Sequence, residues 1–467
     1  MLNIKSIVSI AAAVLPLVSA RPASLGTRAV LLPEDDPFYQ APITIDSSAP
    51  GTVLKSRKVA TSFFGFIPNP VEAWQLLYRT NAVNGTAISA VTTVFVPTGA
   101  KTDRFVSFHT AYDGSSRDGK CDPSYNYQLG APQEDIISSV EFLLLQAFLI
   151  DGYIVSAPDY EGPDAAFGAG RLEGTGVLDS IRAVQNFGST LGLTTTTPAV
   201  VGYGYSGGAI ATGWAAGLQP TYAPELNIKG WAQGGTPANL TGTTVFIDGT
   251  AFSGFLPQAL VGLSSPSAYG ATLEPKIDSI VTTEGASQIA FAEANCGVAN
   301  LLQFPFKSVQ SIEFQTEGDR ILYDPVLAYA LDQQLMGRFS NETPTAPVYL
   351  FHATSDEIIP YANASTLYNE WCGYGASVDF VTYANGGHAT TEVLGFPGAF
   401  EFVNSAFAGT VASGCSQQTK LDSTLNPIAL GAQLEPILVA LLNALAAAGT
   451  QDANIKADVS NFAKTIT

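Results

Sequence analysis

The sequence predicts an α/β fold: a mostly parallel sheet flanked by helices, with an inserted and mainly helical cap. Three observations predict it. Apolar runs of strand length alternate with helix-length segments over much of the chain, the rhythm of right-handed βαβ crossovers. That rhythm lapses between about 240 and 335 and then returns. Finally, the apolar run Val200-Val201-Gly202-Tyr203 leads into Gly204-Tyr205-Ser206-Gly207-Gly208 and a helix-compatible stretch. This is a G-x-S-x-G pattern in the strand–turn–helix setting that gives it chemical meaning.

Each element follows in order. Met1-Leu2-Asn3-Ile4-Lys5, an apolar run from Ile7 to Val18 and the small-x-small end Val18-Ser19-Ala20 read as a secretory signal peptide over 1–20. A mature protein starting near Arg21 and an extracellular location are therefore expected. The apolar run is too short to span a bilayer, and no later segment is long enough either. Residues 21 to about 70 read as loop-rich, with Pro33, Pro37, Pro42 and Pro50. Ala73–Arg79 and Ala90–Val96 pair as strands around Asn84-Gly85, a good hairpin turn. Phe105–Thr110 reads as a strand, Ile136–Leu149 as a helix, Tyr153–Ala157 as a short buried strand and Thr175–Phe187 as a helix. Ala199–Tyr203 and Ile228–Gln233 are the next strands.

These segments make 21–239 the first part of the core. Residues 240–335 form the expected cap, where Gly254–Leu263 and Ile280–Ala294 read as helices or loops outside the βαβ rhythm. The second part of the core, 336–417, holds strand Val348–His352, helix Ala364–Cys372, strand Val378–Tyr383 and helix Pro397–Phe407. The C-terminal extension 418–467 contains the Ala- and Leu-rich stretch Leu434–Ala448. That stretch reads as a helix docked on the body, or as an amphipathic flap at the site mouth or a lipid surface.

Composition narrows the function classes. The formal net charge is −19 and no basic patch offers a nucleic acid anything to hold. Charged residues are only 13%, so the chain is an apolar-rich globule. Cys121, Cys296, Cys372 and Cys415 are even in number, which in an exported protein suggests two disulfides. They do not cluster with histidines at metal spacing, so no metal is expected, and no cofactor is expected either. Sequons start at Asn84, Asn239, Asn341 and Asn363, which makes those four asparagines candidate glycan sites.

The chemistry centres on Ser206. A serine hydroxyl is a poor nucleophile near neutral pH and needs a base, which in turn needs an orienting carboxylate. The chain has three histidines: His109, His352 and His388. His388 lies in a Gly-rich loop after the last clear strand and is the candidate base. His109 and His352 lie inside strand-like runs and read as structural histidines. Asp356, first acidic residue after Val348–His352, is the candidate acid, with Glu357 as the adjacent competitor. The order Ser206…Asp356…His388 is that of α/β-hydrolases. An oxyanion hole needs two donors. The Gly207 N–H supplies one, and the second is expected from Ala111-Tyr112-Asp113-Gly114, where Asp113 also reads as a simple turn-former. In the cap, Phe252, Phe255, Leu256, Leu260 and Leu263 are candidate acyl contacts, or ordinary packing.

Together these segments resemble the fungal secretory lipase family. The resemblance rests on Gly204-Tyr205-Ser206-Gly207-Gly208, on Thr354–Tyr361, on Gly387-His388-Ala389-Thr390-Thr391-Glu392, and on Tyr112–Ser115 with Cys121–Tyr127. It covers roughly residues 55 to 417. It implies an α/β-hydrolase core with the cap inserted between nucleophile and acid. It implies the triad Ser206, Asp356 and His388, with Asp113 and Gly207 at the oxyanion hole. There Asp113 would act through its backbone N–H or as a protonated side chain. It also implies the pairings Cys121–Cys296 and Cys372–Cys415. The C-terminal stretch beyond about 418 departs from the family pattern. The leading expectation is a secreted, monomeric carboxylic ester hydrolase acting on a lipid or other ester, most of all a triacylglycerol lipase. The alternatives are an esterase removing short acyl groups from secondary metabolites, a catalytically inactive binding protein on the same fold, and, least favoured, a peptidase.

Overall fold

The computed structural model describes residues 30–421. The signal-peptide segment and Leu434–Ala448 lie outside the described residues. Ten strands form one sheet: β1 (Val53–Phe63), β2 (Ile67–Asn81), β3 (Ala87–Val96), β4 (Lys101–His109), β5 (Tyr153–Pro158), β6 (Ala199–Tyr205), β7 (Ile228–Gly234), β8 (Val348–Ala353), β9 (Val378–Tyr383) and β10 (Ser416–Lys420). Their spatial order is β1-β2-β3-β5-β4-β6-β7-β8-β9-β10. The first three and the β3–β5 pair are antiparallel, and every pair from β5–β4 onward is parallel. The predicted hairpin is present, with Asn84-Gly85 at its tip between β2 and β3.

Helices α1 (Ile136–Ile150), α2 (Gly170–Asn186) and α3 (Gly207–Tyr222) connect the parallel strands. Strands β4 to β8 are buried on both faces along most of their length, as a parallel sheet covered by helices requires. Beyond β7 the chain leaves the sheet for a helical insert. It contains α4 (Leu240–Ile247), α5 (Phe255–Leu263), α6 (Gly270–Ile280), α7 (Thr283–Ala294), α8 (Gly297–Gln303) and α9 (Pro325–Asp332). The chain then returns through β8, α10 (Tyr361–Gly373), β9 and α11 (His388–Ala408). Trp214, Trp231, Trp371 and Tyr203 are fully buried in the packing against the sheet. No helix among the described residues is long and apolar enough to cross a membrane.

Three differences from the sequence expectation have a clear physical reason. Strand β1 runs through the segment predicted as loop-rich. It forms the sheet's outer edge, so half its face meets solvent and its middle, Lys55-Ser56-Arg57-Lys58, carries no apolar run. Helix α11 starts at His388 rather than at Pro397. Proline normally marks a helix start. Here buried Val393, Phe396, Phe400 and Val403 on both sides of Pro397 hold the helix through it. Strand β10 crosses the expected boundary at 417/418 because it pairs in parallel with β9.

The structure joins Cys121 to Cys296 and Cys372 to Cys415. The first links the loop after β4 to the helical insert, and the second links α10 to the start of β10. Of the four sequon asparagines, Asn84 and Asn341 are exposed. Asn239 caps α4 through its side-chain oxygen. Asn363 is buried, and its Nδ2 donates to the Asn239 carbonyl and to Thr243 Oγ1. That amide has no open side for a glycan in the folded protein.

Candidate active site

Strand β6 delivers Ser206 to the end of the sheet. The turn is tight: a Cβ on Gly204 would lie 2.3 Å from the Gly208 carbonyl, and one on Gly208 would lie 2.0 Å from the His109 carbonyl. Only glycine fits at both places. Ser206 itself has φ 51° and ψ −121°, a strained conformation for a residue with a side chain. Its N–H bonds to the Gly234 carbonyl at 3.0 Å. Ser206 is the N-cap of α3, so the N–H groups of Gly207 and Gly208 have no intrahelical acceptor.

His388 and Asp356 reach the serine from the second part of the core. His388 Nε2 is 2.8 Å from Ser206 Oγ, and His388 Nδ1 is 2.7 Å from Asp356 Oδ2. Asp356 Oδ1 accepts from the N–H groups of Ile358 (3.0 Å) and Ile359 (2.7 Å). These donors fix the carboxylate, and the carboxylate fixes the ring. Burial alone would raise the Asp356 carboxyl. The charges of His388 and His352 and the bonds from His388 and Ile359 outweigh it and hold it below the usual value. Burial alone would lower His388, but Asp356 and then Glu357 raise its imidazole above the ordinary histidine value. Glu357 does not touch the imidazole of His388: its Oε2 accepts the His388 backbone N–H at 2.9 Å.

The other two histidines are spent on structure. His109 bonds Thr212 Oγ1 at 2.6 Å and Ser107 Oγ at 2.9 Å, and burial pushes it down to about 3. His352 Nε2 donates to the Ile359 carbonyl at 2.9 Å and lies 3.3 Å from Asp356 Oδ2. It steadies the acid loop from behind.

Opposite the imidazole sits Asp113, buried, with φ 45°. A Cβ on Gly207 would lie 1.7 Å from Asp113 Oδ1, so the carboxyl occupies the space directly over the first turn of α3. That Oδ1 has no hydrogen-bond partner. Burial first, then Asp135 and Glu392, push the carboxyl up to about 7 although His388 opposes them. Gln258 of α5 donates to the Asp113 carbonyl at 3.1 Å, tying the loop to the insert.

An apolar cavity opens at Ser206, Gly207 and Asp113. Phe255, Leu256, Leu260 and Leu263 line it. Phe252 does not, because it lies in the turn before α5 and not on the helical stripe that faces the cavity. The sequence reading missed most of the remaining wall. Phe167, Leu240 and Ile247, Leu327 and Ile359 come from four separate segments, and no single local pattern brings them together. No cluster of His, Cys, Asp or Glu among the described residues could hold a metal ion.

A strained serine between strand and helix, within hydrogen-bond reach of a carboxylate-oriented histidine, defines a serine ester hydrolase on the α/β-hydrolase fold. The profile of the secretory lipase family matches residues 127–414. The chain is 41% identical over 413 residues to a secreted triacylglycerol lipase of Malassezia furfur, covering 87% of this chain and 83% of that one. It is 39% identical to another of Malassezia globosa, covering 88% and 89%. The structure of Candida antarctica lipase A superposes with a TM-score of 0.80 at 32% identity, covering 88% of this chain and 95% of that one. A rice cell wall degrading esterase from Xanthomonas oryzae, 17% identical with a TM-score of 0.52, shares the fold. The chain belongs to the secretory lipase family and is a secreted serine ester hydrolase.

Proposed function

We propose that this enzyme is a triacylglycerol lipase that works through an acyl-enzyme on Ser206. The observation that carries the reading is the line of hydrogen bonds from Asp356 through His388 to Ser206, opening onto an apolar cavity. Ser206 Oγ attacks the ester carbonyl while His388 Nε2 takes its proton. His388 then gives that proton to the departing glycerol oxygen. Water repeats the sequence on the acyl-enzyme. Asp356 keeps the imidazole in the tautomer that presents Nε2 to the serine and stabilises the imidazolium that forms. The Gly207 N–H and Asp113 hold the oxyanion, and the near-neutral titration of Asp113 supports its carboxyl serving as an O–H donor. The acyl chain lies among Phe255, Leu256, Leu260 and Leu263.

The test is hydrolysis of a nitrophenyl ester series from acetate to palmitate, below and above substrate solubility, together with fluorophosphonate labelling of Ser206. Labelling with activity toward long chains supports the lipase. Activity confined to acetate and butyrate moves the reading to a short-acyl esterase. Absence of labelling removes the enzyme reading.

A further inference from the structure

Below the catalytic groups lies a carboxyl pair that the reaction as written does not use. Glu141 of α1 is fully enclosed, and its Oε2 accepts the Ala111 N–H at 2.7 Å. Ala111 lies two residues before Asp113, at the start of the oxyanion loop. Glu392 lies one helical turn after His388 on α11, on the face that His388 shares. The two carboxyls hydrogen-bond each other, and Glu392 Oε1 is buried with no partner. Two carboxyls can bond only if one carries a proton.

We propose that Glu141 and Glu392 share a proton and form a positioning clasp that sets the oxyanion loop against the helix bearing His388. The clasp rests on the ester-hydrolase reading above. It joins the two halves of the site behind the reacting atoms: one carboxyl holds the loop N–H, and the other holds the base helix. The groups around it leave the proton no substitute. Asp113 of the loop and Asp135 at the start of α1 are acidic. Tyr127, Tyr203 and Tyr205 of neighbouring segments are neutral phenols raised by burial. Among the described groups acting most strongly on the pair, His388 is the one that can carry positive charge, and it is committed to Asp356. None of the groups acting most strongly on either carboxyl is a lysine or arginine. Burial therefore keeps Glu141 protonated far above the carboxylate range and holds Glu392 at about 7. Loss of the last proton would leave two adjacent buried carboxylates, which repel.

The clasp acts through geometry that matters only when the oxyanion forms, so its loss should appear in kcat and not in KM. Glu141→Leu removes the acceptor and should lower kcat at pH 6 about tenfold or more with KM within about twofold. Glu141→Gln keeps a carbonyl for Ala111 and supplies an N–H in place of the proton, so it should restore most of kcat. In an Asp113→Asn background, where Asp113 no longer titrates, Glu392→Gln should move the alkaline fall of kcat upward by about one pH unit or more. Equal kcat for Glu141→Leu and Glu141→Gln would overturn the clasp, as would superimposable pH profiles with and without Glu392→Gln. If Glu141→Leu does not fold, Glu392→Leu against Glu392→Gln makes the same comparison. Fluorophosphonate labelling of the unmodified enzyme separates the two readings. No label at Ser206 refutes the hydrolase, whereas labelling with unresponsive variants refutes the clasp alone.

Discussion

Asp356 and Asp113 are both buried, both close to His388, and treated in opposite ways. Asp356 receives two backbone N–H bonds and the imidazole N–H. Asp113 Oδ1 receives nothing, and its surroundings add Asp135 and Glu392. One carboxyl is held below its ordinary value and the other rises to about 7. The difference follows from the charge each must face. An imidazolium forms beside Asp356 during reaction, and a negative partner stabilises it. In the proposed reaction, negative charge forms on the substrate oxygen beside Asp113, where a second negative charge would repel it. Two environments assign two roles to one residue type. The same division extends outward: the acid side is built from donors, the oxyanion side from carboxyls without cations.

Breaking the acid side should produce the largest effect. Ser206→Ala should abolish turnover with the fold intact, and His388→Ala and Asp356→Asn should each cost about 10³-fold or more in kcat. Glu357→Gln should cost far less, because Glu357 accepts the His388 backbone N–H and makes no hydrogen bond to the His388 ring. Steady-state kinetics on one soluble ester decides it; a Glu357→Gln loss exceeding that of Asp356→Asn would reassign the acid.

The oxyanion side should break more gently and with a different pH signature. Asp113→Ala should lower kcat by about 10²-fold, and Asp113→Asn should keep more activity because an amide is a donor at every pH. The sign follows from the protonation states required. His388 must be neutral, so activity rises as pH climbs through its raised pKa. Asp113 must be protonated to donate, so activity falls as pH rises through about 7. Asp113→Asn should remove the Asp113 share of that fall and leave only the part set by the Glu141–Glu392 pair. If Asp113→Ala matches the parent enzyme at all pH values, the backbone N–H alone serves.

How much of this was legible follows the same line. The serine turn and the order of the three groups could be read because each depends on local chemistry: glycines at a tight turn, a carboxylate just after a strand, a histidine in a Gly-rich loop after the last strand. The scarcity of histidine settled the base. The opposite states of Asp356 and Asp113 were not legible in that way, because they depend on groups distant in sequence. Asp113 is raised partly by Asp135 and Glu392, and Glu392 is 279 positions away. Strand β1 was missed for a different reason: an edge strand with one wet face needs no apolar run.

Stability should carry the same asymmetry. Asp113, Asp135, Asp159 and Glu392 each sit at about 7 in the folded protein, raised above all by burial. Unfolded, they would ionise near 4. The folded state therefore binds more protons than the unfolded state between these values. Their contribution is complete below about pH 4 and is lost as pH rises through 7. Asp356 works the other way, contributing above its ordinary value and losing that contribution as pH falls. Between pH 5 and pH 8 the lowered carboxyls, Asp356 among them, are ionised in both states and add no slope, so the raised groups decide and the melting temperature should drop by several degrees across that range. Calorimetry across that range would contradict the account if the protein were more stable at pH 8.

The smallest effect tests where the two sides meet, in the cavity. Phe255, Leu256, Leu260 and Leu263 project from α5, whose Gln258 also grips the oxyanion loop. The free space is narrow, about 100 Å³, so an added indole has no room without displacing whatever occupies it. Leu260→Trp or Phe255→Trp should therefore cost long acyl chains about 1–3 kcal/mol in kcat/KM relative to acetate or butyrate. A short acyl group ends before it reaches the altered wall, while a long one must pass it. Triad kinetics on the short ester should stay close to the parent, because neither side chain takes part in the hydrogen bonds that join Ser206, His388 and Asp356. Phe252→Trp serves as the control, since Phe252 lies off the cavity and should leave the ratio unchanged. If all three variants leave the long-to-short ratio unchanged while folding normally, α5 does not bound the acyl site and the short-ester reading gains. A change of ratio in Phe252→Trp as large as in Leu260→Trp would mean that the insert acts through its overall packing and not through its cavity wall.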